Sequence, residues 1–344
     1  MEAVRMIAPG NPLELQQIPI PSTGKEDVLV RVRAAGICHS DAHYRAGRSS
    51  MGAMPITLGH EVAGEVEWVG SKVTNVEAGT RVCLHYNISC GDCYHCKTGN
   101  EQFCTTVRMI GHHIDGGYAE YISIPARNAI PLPEEISFEE GATLMCASAT
   151  ALHALRKGRI KAGETVAIFG VGGLGMSAIQ LAKALGAAEV YAVDIKLDKL
   201  ELASEYGAIP IDASRGDAVE EIRSLTKGRG VNLALEMIGL PKTMKQTIES
   251  LGILGRAVIV GLSQIPLEIH PYQTLIGQEA EIIGSNDHLL QELPLLIDMA
   301  RRKVLDTSHV VSQRIPLDAE KINQRLDDLE TYTEDVRAVI VQKD

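Results

Sequence analysis

Cys90, Cys93, Cys96 and Cys104 crowd one short stretch of the chain. Thiolates at this spacing can close a tetrahedral shell around one zinc ion. Four thiolates leave no open position, so the expected role is structural. The chain has seven cysteines, and four are used here. A second group is sparser and mixed. Cys38, His39, Ser40, Asp41 and His43 put a thiol, a hydroxyl, a carboxylate and two imidazoles into one short segment. Gly59-His60-Glu61 adds another imidazole and an acid, and Cys146 follows later. Catalytic zinc needs three protein ligands and one vacancy. Cys38, His60 and Cys146 meet that need as a set, although Cys146 alone in an Ala-rich segment would read as core. Cys83 is left without a chemical role and reads as a small buried hydrophobe.

A third pattern, Gly170-Val171-Gly172-Gly173-Leu174-Gly175, fits G-x-G-x-x-G. Its weight comes from context, because an apolar run precedes it and a helical pattern follows. Gly170 permits the tight turn, Gly172 lets backbone approach a pyrophosphate, and Gly175 allows close helix–sheet packing. The helix start offers unpaired N–H groups and partial positive charge to the phosphates. Asp194 ends the next strand-like run, where an acid can accept the ribose hydroxyls and repel a 2′-phosphate. That predicts NAD in preference to NADP. Lys199, one helical turn on, is placed to donate to the same ribose. The plain structural readings are a strand–helix turn for the glycines, a helix N-cap for Asp194 and a solvated surface lysine for Lys199.

These residues need elements to hold them. Up to about residue 147 the chain is rich in Gly, Pro and short β-type runs, such as Val28–Val32 and Glu61–Val69. Glu139–Lys157 reads as helix. From Thr165 onward, strands (Thr165–Phe169, Glu189–Asp194, Ile209–Ala213, Val231–Ile238, Ala257–Gly261, Glu281–Gly284) alternate with helical runs. That alternation predicts βαβ units, a parallel sheet and a doubly wound fold. The tail from His288 holds an amphipathic helix near Pro294 and a strand over Ala338–Val341. The fold class expected is α/β: a β-rich catalytic domain from 1–147 and 287–344, with a dinucleotide domain, 148–286, inserted between its parts.

The composition sets limits. The chain has 344 residues, 45% hydrophobic and 22% charged, with formal net charge −11. Such acidity disfavours nucleic acid and anionic membrane as partners. No apolar run approaches the roughly 20 residues that span a bilayer. The N-terminus carries no basic region before an apolar core, so no signal peptide and a reducing, cytoplasmic setting are expected.

Taken together, the chain resembles the zinc-dependent medium-chain alcohol dehydrogenases. Gly59-His60-Glu61-x-x-Gly64 with Gly70 and Val73, Cys38-x-Ser40-Asp41-x-His43, the four-cysteine lobe, and Gly170–Gly175 with Asp194 and Lys199 carry the likeness in order along essentially the whole chain. The resemblance implies a GroES-like catalytic domain and a Rossmann NAD-binding domain. It implies two zincs per subunit, one catalytic on Cys38, His60 and Cys146, with Glu61 beside it as a transient ligand, and one structural on Cys90, Cys93, Cys96 and Cys104. Asp41 would orient His60. Ser40 would take the alcohol proton, and His43 would pass it on through the cofactor ribose. Thr150 would touch the nicotinamide, and His39, Gly261, Leu262 and Arg337 would line the cofactor groove. His39 stands where the family often has arginine. Tyr86 and Met109 would line the substrate pocket.

The function expected is reversible hydride transfer between a primary or secondary alcohol and NAD, giving an aldehyde or ketone. A polyol or sugar dehydrogenase of the same superfamily is the alternative, kept open by His112 and His113. A nucleotide binder without catalysis would have no need of the Cys38/Ser40/His43/His60/Cys146 equipment. A nucleic-acid zinc ribbon would need two separated Cys-x-x-Cys knuckles, which the lobe lacks. The resemblance also implies a homotetramer, with a homodimer as the other option, and the strand near Ala280–Gly284 as an edge able to pair with its copy.

Overall fold

Val28, Val30, Val32 and Ala34 alternate with more exposed neighbours, which is the signature of a strand with one buried face. They lie in strand Asp27–Gly36, longer than the expected Val28–Val32 because alternation gives way to a fully buried end at Ala34–Gly36. The structure, a computed structural model, describes residues 1–49, 51–307, 311–331 and 337–342. It divides into two compact units, Met1–Cys146 with Leu289–Asp344, and Ala147–His288.

In the first unit, Asp27–Gly36 is the hub of a seven-stranded sheet. It pairs antiparallel with Glu61–Val69 from Val28↔Val69 to Gly36↔Glu61. Its other edge is shared by Tyr121–Pro125 at the start and Arg337–Val341 at the end. The tail thus supplies part of this sheet, and strand Val311–Ile315 lies parallel to Arg337–Val341. That strand and helix Ala319–Glu330 have no counterpart in the sequence expectation. The strand VSQRI is largely polar, so periodicity marks it weakly, whereas the helix carries Ile322, Leu326 and Leu329 at helical spacing, a signal the sequence reading passed over. A core of Val, Ile, Leu and Tyr side chains, including Val30, Val62, Leu58 and Tyr118, backs the sheet.

The second unit is a six-stranded parallel sheet. From edge to edge the order is Ile209–Asp212, Glu189–Asp194, Thr165–Phe169, Val231–Glu236, Leu251–Ile259 and Glu281–Gly284. In chain order this is 3-2-1-4-5-6, the doubly wound order, with its switch between the first and fourth strands. The fifth strand starts earlier than the expected Ala257. Its register against Val231–Glu236 jumps from Leu251 to Arg256, and Leu254 takes a positive φ of 60° in the extra loop of backbone.

The expected single helix over Glu139–Lys157 is three pieces. Helix Phe138–Thr143 passes into a π-helical stretch, Leu144–Ser148, and then helix Ala149–Lys157. Ser137 caps the start, accepting from Glu140 N–H while the Glu140 carboxylate takes Ser137 N–H. Single π-turns inside helices recur at functional sites. Here the turn contains Cys146.

Candidate metal centres and dinucleotide turn

Strand Asp27–Gly36 delivers the chain to Cys38, which caps helix His39–Arg45. The cap depends on Asp41, whose carboxylate accepts the Cys38 N–H at 3.0 Å. Arg45 anchors the far end of the helix, donating to the Asn323 carbonyl at 3.1 Å and to Asp327 at 2.5 Å. His60 and Glu61 arrive at the start of strand Glu61–Val69, where Glu61 pairs with Gly36. Cys146 comes from the π-turn.

These segments converge. One ligand atom each from Cys38, His60, Glu61 and Cys146 lies within 4.8 Å of the others. The Cys38 and Cys146 sulfurs are 3.9 Å apart. The partner thiol of Cys146 and the nearby His60 hold the Cys38 thiol well below its ordinary value, against burial. His60 Nδ1 lies 3.1 Å from Asp41 Oδ1, so its Nε2 is the nitrogen left for a metal. Burial works against charge on His60, but the Asp41 carboxylate outweighs it and holds the imidazole well above its usual value.

Glu61 is fully buried, and its Oε2 has no hydrogen-bond partner. Its other oxygen accepts from Arg337. A Cβ on Gly36 would stand 2.2 Å from Glu61 Oε2, so the absence of a side chain at Gly36 makes room for the carboxylate. An orphaned buried oxygen beside two thiols and an imidazole fits a soft divalent ion such as zinc. Tyr86 is buried with its ring 5.2 Å from that of His60, and Met109 packs against the same core.

Ser40 and His43 sit on the helix that Cys38 caps. Ser40 Oγ is 3.8 Å from the Cys38 sulfur. His43 is T-shaped against His39, with centroids 4.8 Å apart. Burial, and then the His39 neighbour, hold His43 below its usual value, so it stays neutral and able to accept a proton. His112 is held down to about 4 by burial and by His113. Its Nε2 lies 3.3 Å from Ser49 Oγ.

The second cluster is Cys90, Cys93, Cys96 and Cys104, again with ligand atoms within 4.8 Å of one another. Backbone N–H groups of Asp92 and Cys93 donate to Cys90 sulfur at 3.4 and 3.3 Å and lower its thiol to about 6. Cys96 is pushed up to about 11 by burial and its Cys93 neighbour. None of the seven cysteines is in a disulfide. Cys83 lies apart in the core, raised to about 12 by burial.

In the second unit, Gly170 has φ +91° and turns the chain out of strand Thr165–Phe169. A Cβ on Gly175 would lie 1.9 Å from the Gly170 carbonyl oxygen, so that contact requires glycine. Gly172 caps helix Gly173–Ala184, and a Cβ there would meet nothing within 4 Å. Asp194 braces this turn, accepting from Val171 N–H at 2.9 Å and from Ile195 and Lys196 N–H at 2.8 and 3.1 Å. The cap of the following helix is Lys196, not Asp194. Lys199 lies on that helix, Thr150 is buried in helix Ala149–Lys157, and Leu262 is 85% exposed.

Sequence reasoning missed Glu236. This fully buried carboxylate accepts from Ile238 N–H, Gly239 N–H and Thr243 hydroxyl at 3.1, 2.9 and 2.6 Å. Its backbone carbonyl takes Gly261 N–H at 3.1 Å, tying the Gly239 and Gly261 turns together. An acid closing an apolar strand a few residues ahead of Gly239 was the available signal.

Comparison with known proteins identifies the family of this chain. The alcohol dehydrogenase GroES-like domain family matches residues 24–134, and the zinc-binding dehydrogenase family matches residues 173–301. An NAD-dependent alcohol dehydrogenase of Sulfurisphaera tokodaii is 35% identical over 99% of this chain and 100% of its own. A sorbitol dehydrogenase of Bacillus subtilis is 33% identical over 89% of this chain and 88% of its own. The crystal structure of the alcohol dehydrogenase from the archaeon Aeropyrum pernix matches with TM-score 0.89 and 35% identity, covering 99% of this chain and 100% of that one. The chain belongs to the zinc-dependent medium-chain alcohol dehydrogenase family. Among the described residues, no helix is long and apolar enough to cross a membrane.

The four-cysteine lobe carries a prediction. Cys96→Ser is expected to leave about one zinc fewer per chain and lower the melting temperature by at least about 5 °C. Unchanged melting with the zinc lost would remove the structural role.

Proposed function

We propose that this chain is an NAD-dependent alcohol dehydrogenase interconverting primary or secondary alcohols with aldehydes or ketones. The observation that carries the reading is the convergence of half-buried Cys38 with buried His60, Glu61 and Cys146. Two thiolates and one imidazole would hold a catalytic zinc, with Glu61 as an alternate ligand, and four thiolates would hold a second, structural zinc. Zinc held there would supply Lewis acidity toward the substrate oxygen, and bound NAD would serve as the hydride acceptor.

The chain's own groups do the rest. Asp41 fixes the tautomer and orientation of His60. Ser40 hydroxyl receives the alcohol proton, and His43, kept neutral by its surroundings, takes it onward. Tyr86 and Met109 shape the pocket. The Gly172 turn and helix start would hold the pyrophosphate, and Asp194 and Lys199 the adenosine ribose. The working form is a homotetramer in the cytoplasm, with a small-molecule substrate.

Two measurements test this reading. NADH formation across simple alcohols, polyols and sugars should be fastest with simple alcohols. A preference for polyols would favour the alternative, which the sorbitol dehydrogenase relative supports. Absence of turnover with every compound would leave only a binder. The second concerns Asp194. Asp194→Asn removes the charge that repels a 2′-phosphate, and its single oxygen can keep either the Val171 or the Ile195 and Lys196 N–H bonds. The kcat/KM ratio of NADP to NAD should rise about tenfold, roughly 1.4 kcal/mol. An unchanged ratio would contradict its role at the ribose.

A further inference from the structure

Asp41 is fully buried and carries three donors from three parts of the first unit. Cys38 N–H and the Tyr118 hydroxyl share Oδ2, both at 3.0 Å, and His60 Nδ1 faces Oδ1 at 3.1 Å. Two of these donors belong to the zinc ligands proposed above. Tyr118 does not, and its side chain is fully buried. A phenol hydroxyl in such a place costs free energy unless it is bonded, and a phenylalanine would fill the same space without it. The hydroxyl is therefore there for the carboxylate.

The same tyrosine also touches the His60 segment directly. Its ring lies over Gly59, where φ is +93° and a Cβ would come within 2.4 Å of Tyr118 Cδ1. Tyr118 N–H donates to Leu58 carbonyl at 3.0 Å, and Gly117 N–H to Gly59 carbonyl at 2.7 Å. The backbone leading to His60 and the carboxylate behind His60 are thus both set by one residue.

We propose that Tyr118 is a positioning residue for the metal centre, its hydroxyl locking Asp41 so that His60 presents Nε2 in a fixed direction. The proposal rests on the reading that Cys38, His60 and Cys146 hold zinc. With the hydroxyl gone, Asp41 Oδ2 keeps only Cys38 N–H, and the carboxylate gains freedom to rotate away from His60. Loss of a partner behind a ligand typically costs 10–100-fold in metal affinity. Tyr118 acts one bond further out, so the lower end applies.

The test is zinc release from the fully loaded protein to a chromophoric chelator, followed in time. Wild type should release zinc in two phases, and Cys38→Ser should lack one of them. In Tyr118→Phe that same phase should be about tenfold faster, with the other phase unchanged. In an Asp41→Ala background, which offers the phenol no acceptor, Tyr118→Phe should add nothing further. If Cys38→Ser removes neither phase, the ligand reading itself fails. If it removes one phase and Tyr118→Phe leaves that phase at the wild-type rate, or speeds both phases alike, the role assigned to Tyr118 is overturned.

Discussion

Cys38→Ser is expected to lower turnover at least about 10³-fold, roughly 4 kcal/mol of barrier, while the fold persists. The reasoning separates what the side chain does from what the backbone does. The thiolate supplies one of three ligands, and a serine hydroxyl is a poor substitute for a soft donor. The helix start, however, depends on Cys38 N–H donating to Asp41 at 3.0 Å, and that bond survives the substitution. Arg45 still anchors the helix through Asn323 and Asp327. Circular dichroism and melting should therefore stay near wild type as activity disappears. Retention of wild-type turnover would mean that the ligand set is misassigned.

Two glycine substitutions should both weaken NAD binding, and only one of them should lower stability. Gly175→Ala forces a methyl to within 1.9 Å of the Gly170 carbonyl oxygen, a contact between fixed backbone positions. Overpacking of this kind costs about 1–3 kcal/mol or more, and the turn must open to relieve it. Melting temperature and NAD affinity should fall together. Gly172→Ala meets no protein atom within 4 Å, and its φ of −70° suits alanine. Its methyl would occupy only the space in front of the helix start, where the pyrophosphate is placed. Melting should hold steady while KM for NAD rises by about tenfold or more, roughly 1.4 kcal/mol. Thermal denaturation and cofactor titration of both variants check this. Equal effects of the two on stability, or no effect of Gly172→Ala on NAD, would show that the turn does not bind phosphate in this way.

The legible parts of this molecule are local ones. Cysteine spacing in the lobe and glycine spacing after Phe169 are short-range patterns whose chemistry can be read directly from residue type. The alternation of strands and helices in the second unit gave its parallel sheet for the same reason. Cys146 was legible as a ligand only in combination with Cys38 and His60, never alone, because its approach to Cys38 depends on a π-turn that helix periodicity does not reveal. Arg337 and Glu61 meet across 276 residues of chain, and Tyr118 and Asp41 across 77. Contacts of that range follow from sheet register, here Gly36 opposite both Glu61 and Val339, and no window of sequence encodes it. The strand Val311–Ile315 escaped for a simpler reason: its polar residues hide the pattern.

Diffraction recorded at the zinc absorption edge from crystals of the wild-type protein probes the metal assignment itself. Two anomalous peaks per chain are expected. One should lie among Cys38, His60 and Cys146, with sulfurs at about 2.3 Å, nitrogen at about 2.0–2.1 Å and a fourth position open to water or alcohol. No peak at that place, or an ion there enclosed by four permanent protein ligands, would contradict the account.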